Sequence, residues 1–424
     1  MECGGQVSEA DMLPQRLPTA KKKNCVRCGK AAVLVVQTSA AFCRECFLNY
    51  FTHKFRSGLG KTRVVQPGER VLLAFSGGPS SAALLHLVKR GMEEGTQKKR
   101  LRIEPGVVFI DEGCIIQGFD VDQRQQALQI VSKIAEDSGF PVYRVMLEDF
   151  MSEHSTEADL PVTVSNCAET SQDTTEDVER QGKTLSTDES SADRLKRLFE
   201  QAKSLTAKED LLQMLRSKLL VKVARMHGYT KVMVGDSGTR LSVRIMADIA
   251  QGRGSALPLN TGFADDRHGD VVIVRPMRDF IAKEISMYNT ICQLESVFLP
   301  TLSTRAAEKA SIGHLTEAFI SGLQVNFPST VSTVFRTGAK LCVSQDPENM
   351  PEGHERCAMC KAPLDTGQQG PLQSSVYKTS GASEDDNECV ATGPEPSPSL
   401  CHGCSLTVAD FGDFSALSDQ LLHD

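Results

Sequence analysis

A chain of 424 residues with 40% hydrophobic residues has room for two or three domains and a sizeable core. A membrane protein is not expected: Met1 to Pro14 lacks the apolar core of a signal peptide, and no stretch reaches the roughly 18 apolar residues of a spanning helix. The net charge of −7 hides a separation, because residues 151–193 hold 11 Asp/Glu against Arg180 and Lys183, whereas residues 16–70 hold 12 Lys/Arg against Glu45 and Glu69. A basic N-terminal region suits an anionic partner; the alternative is a solvated basic face. Fourteen cysteines without a secretory signal point to reduced thiols and metal sites in the cytosol rather than disulfides.

Residues 1–20 read as a flexible N-terminus, and residues 21–66 as a metal knuckle with a basic segment. Cys25-x2-Cys28 and Cys43-x2-Cys46 are two pairs at nearly the spacing of a zinc ribbon. Four thiolates close a tetrahedral shell about 2.3 Å from the metal. A redox Cys-x-x-Cys or free thiols are the alternatives. The basic run then places Lys54, Arg56, Lys61 and Arg63 within ten residues, where they are expected to meet phosphates.

Residues 67–340 carry the pattern of an α/β domain. Val71 to Ala74 is an apolar strand that runs into Phe75-Ser-Gly-Gly-Pro-Ser-Ser81, and Pro79 is placed to start a helix from Ser80 to Arg90. Gly77 and Gly78 permit a tight turn, whose backbone N–H groups converge on one anion at the helix N-terminus. An ordinary strand-turn-helix corner is the bland alternative. The segment resembles the Ser-Gly-Gly-x-Asp-Ser loop of the PP-loop ATP pyrophosphatases. Ser76, Gly77, Gly78 and Ser81 match it, and the acidic position is Ser80. The resemblance implies a degenerate phosphate loop, because a hydroxyl cannot replace a carboxylate that helps organise Mg-ATP.

Strands follow at Gly106 to Ile110, Pro141 to Leu147, Lys231 to Gly235 and Asp270 to Val274. Helices are read at Gln123 to Asp137, Ala207 to His227, Thr239 to Ala250 and Ile281 to Ile291, with a long helical segment from Ser311 to Phe327. This alternation argues for a doubly wound parallel sheet with its ligands at the carboxyl ends of the strands, which places Ser76 to Ser81 and Gly235 to Arg240 on one rim. Residues 151–193, rich in Ser, Thr, Asp and Glu, read as a disordered acidic insertion. Residues 341–424 read as a second ribbon-like region with a disordered stretch over 365–395. Cys357-x2-Cys360 and Cys401-x2-Cys404 would share a metal across a long loop. Cys389 and His402 are alternative ligands, and Cys3, Cys114, Cys167, Cys292 and Cys342 read as unpaired thiols.

The combination of two cysteine knuckles, a basic run and the loop is similar to the cytoplasmic tRNA 2-thiolation protein 2 family. Matching stretches include Phe109-Ile-Asp-Glu-Gly113, Leu205-Thr-Ala-Lys-Glu209, His227 to Ser237, Gly262 to Asp270, Val274-Arg-Pro-Met-Arg-Asp279 and Phe327 to Thr333. The resemblance implies a PP-loop (adenine nucleotide α-hydrolase-like) fold with N- and C-terminal zinc ribbons. It also implies tRNA and a catalytic paralogue as partners, with sulfur from a thiocarboxylated ubiquitin-related modifier. Catalytic relatives carry a Gly-His-Asn-Ala-Asp-Asp segment after the fourth strand, where this chain reads Gly235-Asp-Ser-Gly-Thr-Arg240. They carry reactive cysteines near the start of the long helix and after the Arg-Pro segment, where Leu205 to Leu215 and Glu295 to Thr301 have none. The expectation is a non-catalytic tRNA-binding subunit of a wobble-uridine thiolase, with structural zinc and a doubtful ATP site. An ATP-dependent thiouridylase in its own right and a zinc-ribbon adaptor unrelated to tRNA are the competing readings.

Overall fold

Val71, Leu72 and Leu73 of β3 (Arg70–Ala74) are all but inaccessible to solvent, with Leu72 facing a different hydrophobic cluster from its two neighbours. A strand covered on both faces reads as an unbroken apolar run rather than an alternating one. The computed structural model describes residues 24–36, 40–93, 100–118, 120–151, 163–165, 190–341, 356–364 and 399–411. Around β3 it builds a seven-stranded sheet from β4 (Glu104–Asp111), β5 (Val142–Met146), β6 (Thr163–Ser165), β7 (Lys231–Met233), β8 (Ala264–Asp265) and β9 (Val272–Val274). The order is β6-β5-β4-β3-β7-β9-β8, and β5-β4-β3-β7-β9 are mutually parallel.

The chain reverses its winding direction between β3 and β7, the place where open α/β sheets leave a crevice for ligands. The expected all-parallel sheet is corrected at its edges, where β6 and β8 pair antiparallel. Both edge strands are two or three residues long, too short to show a period in the sequence. The expected 151–193 insertion is corrected where it is described, at β6 and at residues 191–193, which open a helix; residues 152–162 and 166–189 lie outside the described residues.

One face of the sheet is covered by α1 (Arg44–Thr62), α2 (Pro79–Met92), α3 (Val121–Glu136) and α8 (Ala282–Cys292). The other is covered by α4 (Ser191–Gln201), α5 (Leu205–Met226) and the C-terminal helix α11 (His402–Asp410). Helices α6 (Gly238–Ala250), α7 (Leu257–Thr261), α9 (Ile312–Asn326) and α10 (Thr330–Leu341) pack together beyond β7. Pro328 separates α9 from α10 because a residue before proline leaves helical geometry.

The basic run turned out to be helical. Phe47, Phe51, Phe55 and Leu59 recur every fourth residue along one face of α1, and each buried phenylalanine is worth about 1.5–3 kcal/mol. The Phe51 ring lies 4.4 Å from Phe280 and 4.2 Å from Tyr288, so α1 is fastened to α8 and the turn before it.

Candidate functional site

The two expected cysteine clusters are both assembled. In each, the four sulfurs lie within 4.8 Å of one another. Four ligands at 2.3 Å around one tetrahedral ion stand roughly 3.8 Å apart. Cys28 Sγ is 3.5 Å from Cys43 Sγ, and Cys360 Sγ is 3.7 Å from Cys401 Sγ, so the donor sets fit a single ion.

The clusters also share one backbone plan. Cys25 N donates to Lys30 O and Gly29 N to Cys25 O; at the other end Cys357 N donates to Ala362 O and Lys361 N to Cys357 O. The residue after the second cysteine turns to positive φ in both, Gly29 at 73° and Lys361 at 56°. The second pair sits at a helix start in both, with Cys43 the N-cap of α1 and Cys401 the N-cap of α11. The partial positive charge at a helix N-terminus favours thiolates there. A backbone hydrogen bond from Cys43 holds the Cys25 thiol down at about 6, whereas Cys46 is pushed up to about 12, chiefly by its hydrogen bond with Cys43. A bound cation takes the place of the protons that the four sulfurs would otherwise share.

His402, considered as an alternative ligand, lays its ring over Gly252 and is not among the clustered donors. Cys114 is buried and Cys292 is half-buried, each apart from the clusters. Cys3, Cys167, Cys342 and Cys389 lie outside the described residues.

The glycine loop after β3 has the shape the sequence predicts. Gly77 takes φ 75°, and a Cβ there would come within 3.0 Å of Val131. Gly78 caps α2 and Pro79 opens it. Ser81 does not face the rim. Its hydroxyl donates to Gly78 O at 3.0 Å, accepts from Ser76 N at 3.2 Å and lies 3.3 Å from Ser76 Oγ, so it ties the loop to itself. Val297 N donates to Gly77 O at 2.8 Å, which brings the segment after α8 across the loop. Gly235, after β7, packs so closely that a Cβ would stand 3.0 Å from Ser81 N.

Beside Ser80 opens a cleft of about 530 Å³, bounded by the starts of α5, α6 and α9 and by Met359 to Lys361 of the C-terminal knuckle. Four of its arginines are held by the chain's own carboxylates. Arg275, 5% exposed, lies 3.5 Å from Asp236 and 3.6 Å from Asp265. Arg216 forms a two-pronged pair with Glu112, Arg267 binds Asp265 at 2.8 Å, and Arg253 binds Asp210 at 2.7 Å. Burial raises Asp210 to about 6 and lowers His268 to about 4. Glu112 reaches Arg216 from a turn set by Asp111, which accepts from Gly113 N and Arg124. The stretches around Asp236, Arg267 and Arg275 stood out in the sequence, but only the fold shows that they line one cleft, with Glu112 paired to the lining residue Arg216.

The basic run divides. Lys54 is engaged within the fold: its ammonium is 3.0 Å from the buried Glu284 carboxylate and 4.6 Å from the Phe280 ring centre. Helical spacing turns it toward α8 along with the aromatic face. Arg56 is half-buried, whereas Lys61 and Arg63 are exposed at the far end of α1.

Comparison with known proteins identifies the family. A family model described as cytoplasmic tRNA 2-thiolation protein 2 matches residues 311–406. A protein of that name from Xenopus tropicalis is 40% identical over 469 aligned positions, covering 95% of this chain and 90% of its own length. The human protein of that name is 40% identical over 85% of this chain and 75% of its own. The chain belongs to the cytoplasmic tRNA 2-thiolation protein 2 family. A solved structure, the U34-tRNA thiolase NcsA from Methanococcus maripaludis with its [4Fe-4S] cluster, superposes with a TM-score of 0.53 over 77% of this chain and 90% of its own, at 15% identity. That likeness shows a shared PP-loop fold. In this chain the stretches Leu205 to Leu215 and Glu295 to Thr301 both reach the cleft, through Glu209 and Asp210 on α5 and through Thr301.

Proposed function

We propose that this chain is the non-catalytic, tRNA-binding subunit of a cytoplasmic thiolase that installs sulfur on C2 of uridine 34 in tRNAs for Lys, Glu and Gln. Its partner is a paralogous catalytic chain, and the sulfur comes from the thiocarboxylated end of a ubiquitin-like modifier. The observation that carries the reading is the cleft beside Ser80, where Arg216, Arg253, Arg267 and Arg275 are all paired with carboxylates of the same chain. A nucleotide would have to displace those carboxylates, and Ser80 offers no charge to organise a magnesium ion. Adenylation of the uracil oxygen therefore falls to the partner.

What this chain supplies is positioning. Lys61 and Arg63, with Arg56 beside them, offer positive charge to tRNA phosphates, which fix register without reading sequence. Both knuckles hold zinc. A [4Fe-4S] cubane spreads its four thiolates over four irons, farther apart than sulfurs that all lie within 4.8 Å. Zinc is redox-inert and, with four thiolates, leaves no open position for a reaction, so its contribution is structural.

ATP consumption by each purified subunit, measured with tRNA present, tests the assignment. This chain should release little or no pyrophosphate, and Ser81→Ala should leave the reconstituted complex nearly fully active. A fall of a hundredfold or more, about 2.7 kcal/mol of transition-state stabilisation, would place chemistry here and favour an ATP-dependent thiouridylase.

A further inference from the structure

The C-terminal knuckle is fastened to the cleft by two arginines, one for each half of its metal site. Arg267, anchored by Asp265 at 2.8 Å and Asn260 at 2.7 Å, extends Nη1 to the carbonyl of Cys360 at 3.0 Å. Arg253, anchored by Asp210 at 2.7 Å, donates to Thr407 Oγ1 at 2.9 Å and to the carbonyl of Gly403 at 3.3 Å, between the ligands Cys401 and Cys404. Both side chains are about one-tenth exposed, so the bonds form in a low-dielectric setting where they are strong and costly to leave unmade. Across the knuckle itself, Ala358 N donates to Ser399 O at 2.9 Å as the only described backbone hydrogen bond between the halves.

We propose that the C-terminal metal closes a ring running from Arg267 through Cys360, the ion, Cys401 and Cys404, and Gly403 to Arg253, so that metal occupancy and the order of the cleft wall over residues 253–268 are coupled. Arg253 and Arg267 are positioning residues: they touch neither metal nor substrate, and each holds one half of the ligand set where the other half can complete it. The coupling works in both directions by the same factor, because both ends share one equilibrium. Partners outside the coordination shell commonly change metal affinity by 10–100-fold. Among the described residues the N-terminal knuckle makes no such connection to the cleft. Its α1 helix faces α8 on the opposite side of the sheet.

Hydrogen exchange of the full-length zinc-loaded chain, read by peptide, tests the coupling. Cys401→Ser should empty the C-terminal knuckle and speed exchange over residues 253–268 as well as in the knuckle. Cys43→Ser should speed exchange only around residues 25–46. Arg267→Lys and Arg253→Lys keep the charge opposite Asp265 and Asp210 but lose the fork that reaches the knuckle carbonyls, so they separate a broken latch from a lost fold. Each should accelerate zinc loss to a chelator from the C-terminal knuckle by roughly tenfold or more and leave the N-terminal zinc at its wild-type rate. Unchanged exchange over 253–268 in Cys401→Ser, or wild-type zinc release from both lysine variants, overturns the proposal. A chain that takes up no zinc at the C-terminal cysteines overturns it as well.

Discussion

The two knuckles follow one local plan and end in opposite surroundings. At the N-terminal knuckle Val26 is 62% and Val33 57% exposed, whereas at the C-terminal one Met359 is 2% exposed and Cys404 is fully buried against α5. The spacing of the cysteines, the positive-φ residue after each first pair and the helix that begins at each second pair are local properties, so they recur. What differs is what the core offers them. The N-terminal knuckle meets a helix packed by aromatic rings, while the C-terminal one meets two anchored arginines at the mouth of a cleft.

The largest expected effect separates the two directly. Replacing Cys357 and Cys360 with Ser should remove one of two zinc equivalents and lower Tm by roughly 5 °C or more, because residues 356–364 lose their tie to α11 and the cleft wall loses the closed ring that holds it. Replacing Cys25 and Cys28 should remove the other equivalent with a smaller shift in Tm. Metal analysis beside calorimetry checks both, and equal shifts would erase the contrast drawn here.

Next in size is Lys54→Ala, which strands the buried Glu284 carboxylate. It should cost about 3 kcal/mol, measured by denaturant unfolding. Lys61→Ala with Arg63→Ala should stay within about 0.5 kcal/mol of wild type in stability. In binding the order reverses. The exposed pair should weaken tRNA affinity across sequences and reduce the salt slope by about 2, measured by titration at several ionic strengths.

A pH scan probes a histidine on the cleft side. Burial lowers His268 to about 4, so between pH 6.5 and 4 the unfolded chain binds a proton that the folded chain refuses. The stability this neutral histidine contributes is therefore complete above pH 6.5 and is lost as pH falls toward 4. Asp210, raised to about 6 by burial, acts in the opposite sense between pH 6 and 4, so the informative quantity is the difference between wild type and His268→Gln. That difference should amount to about 2 kcal/mol between pH 7 and pH 4. Smaller than the histidine effect is Ser81→Ala, which removes hydrogen bonds that close the glycine loop upon itself and should cost about 1 kcal/mol, with zinc content unchanged at both knuckles.

Several features of the chain were legible without its structure. Both cysteine sets, the strand-loop-helix at residues 71–90 and the alternation of strands and helices depend on spacing and backbone preference within short windows, and all were formed as expected. Helix α1 was less legible because its apolar face is four residues spread over a segment dominated by charge. Strands β6 and β8 were not legible, since pieces so short exist only through the neighbours they pair with.

Side-chain destinations belonged to the tertiary structure. Lys54 and Lys61 look equivalent in a basic run, yet helical rotation and the position of Glu284 half-bury and pair one and expose the other. Ser81 matches a phosphate-loop serine by type, yet its hydroxyl serves the loop. Arg216 meets Glu112 across 104 positions of chain and Arg253 meets Asp210 across 43, and no local pattern states that either pair will form. Sequence decided the longer elements and which thiols come together. Packing alone decided which charges neutralise one another, because a buried charge must find its partner wherever the fold brings one within reach.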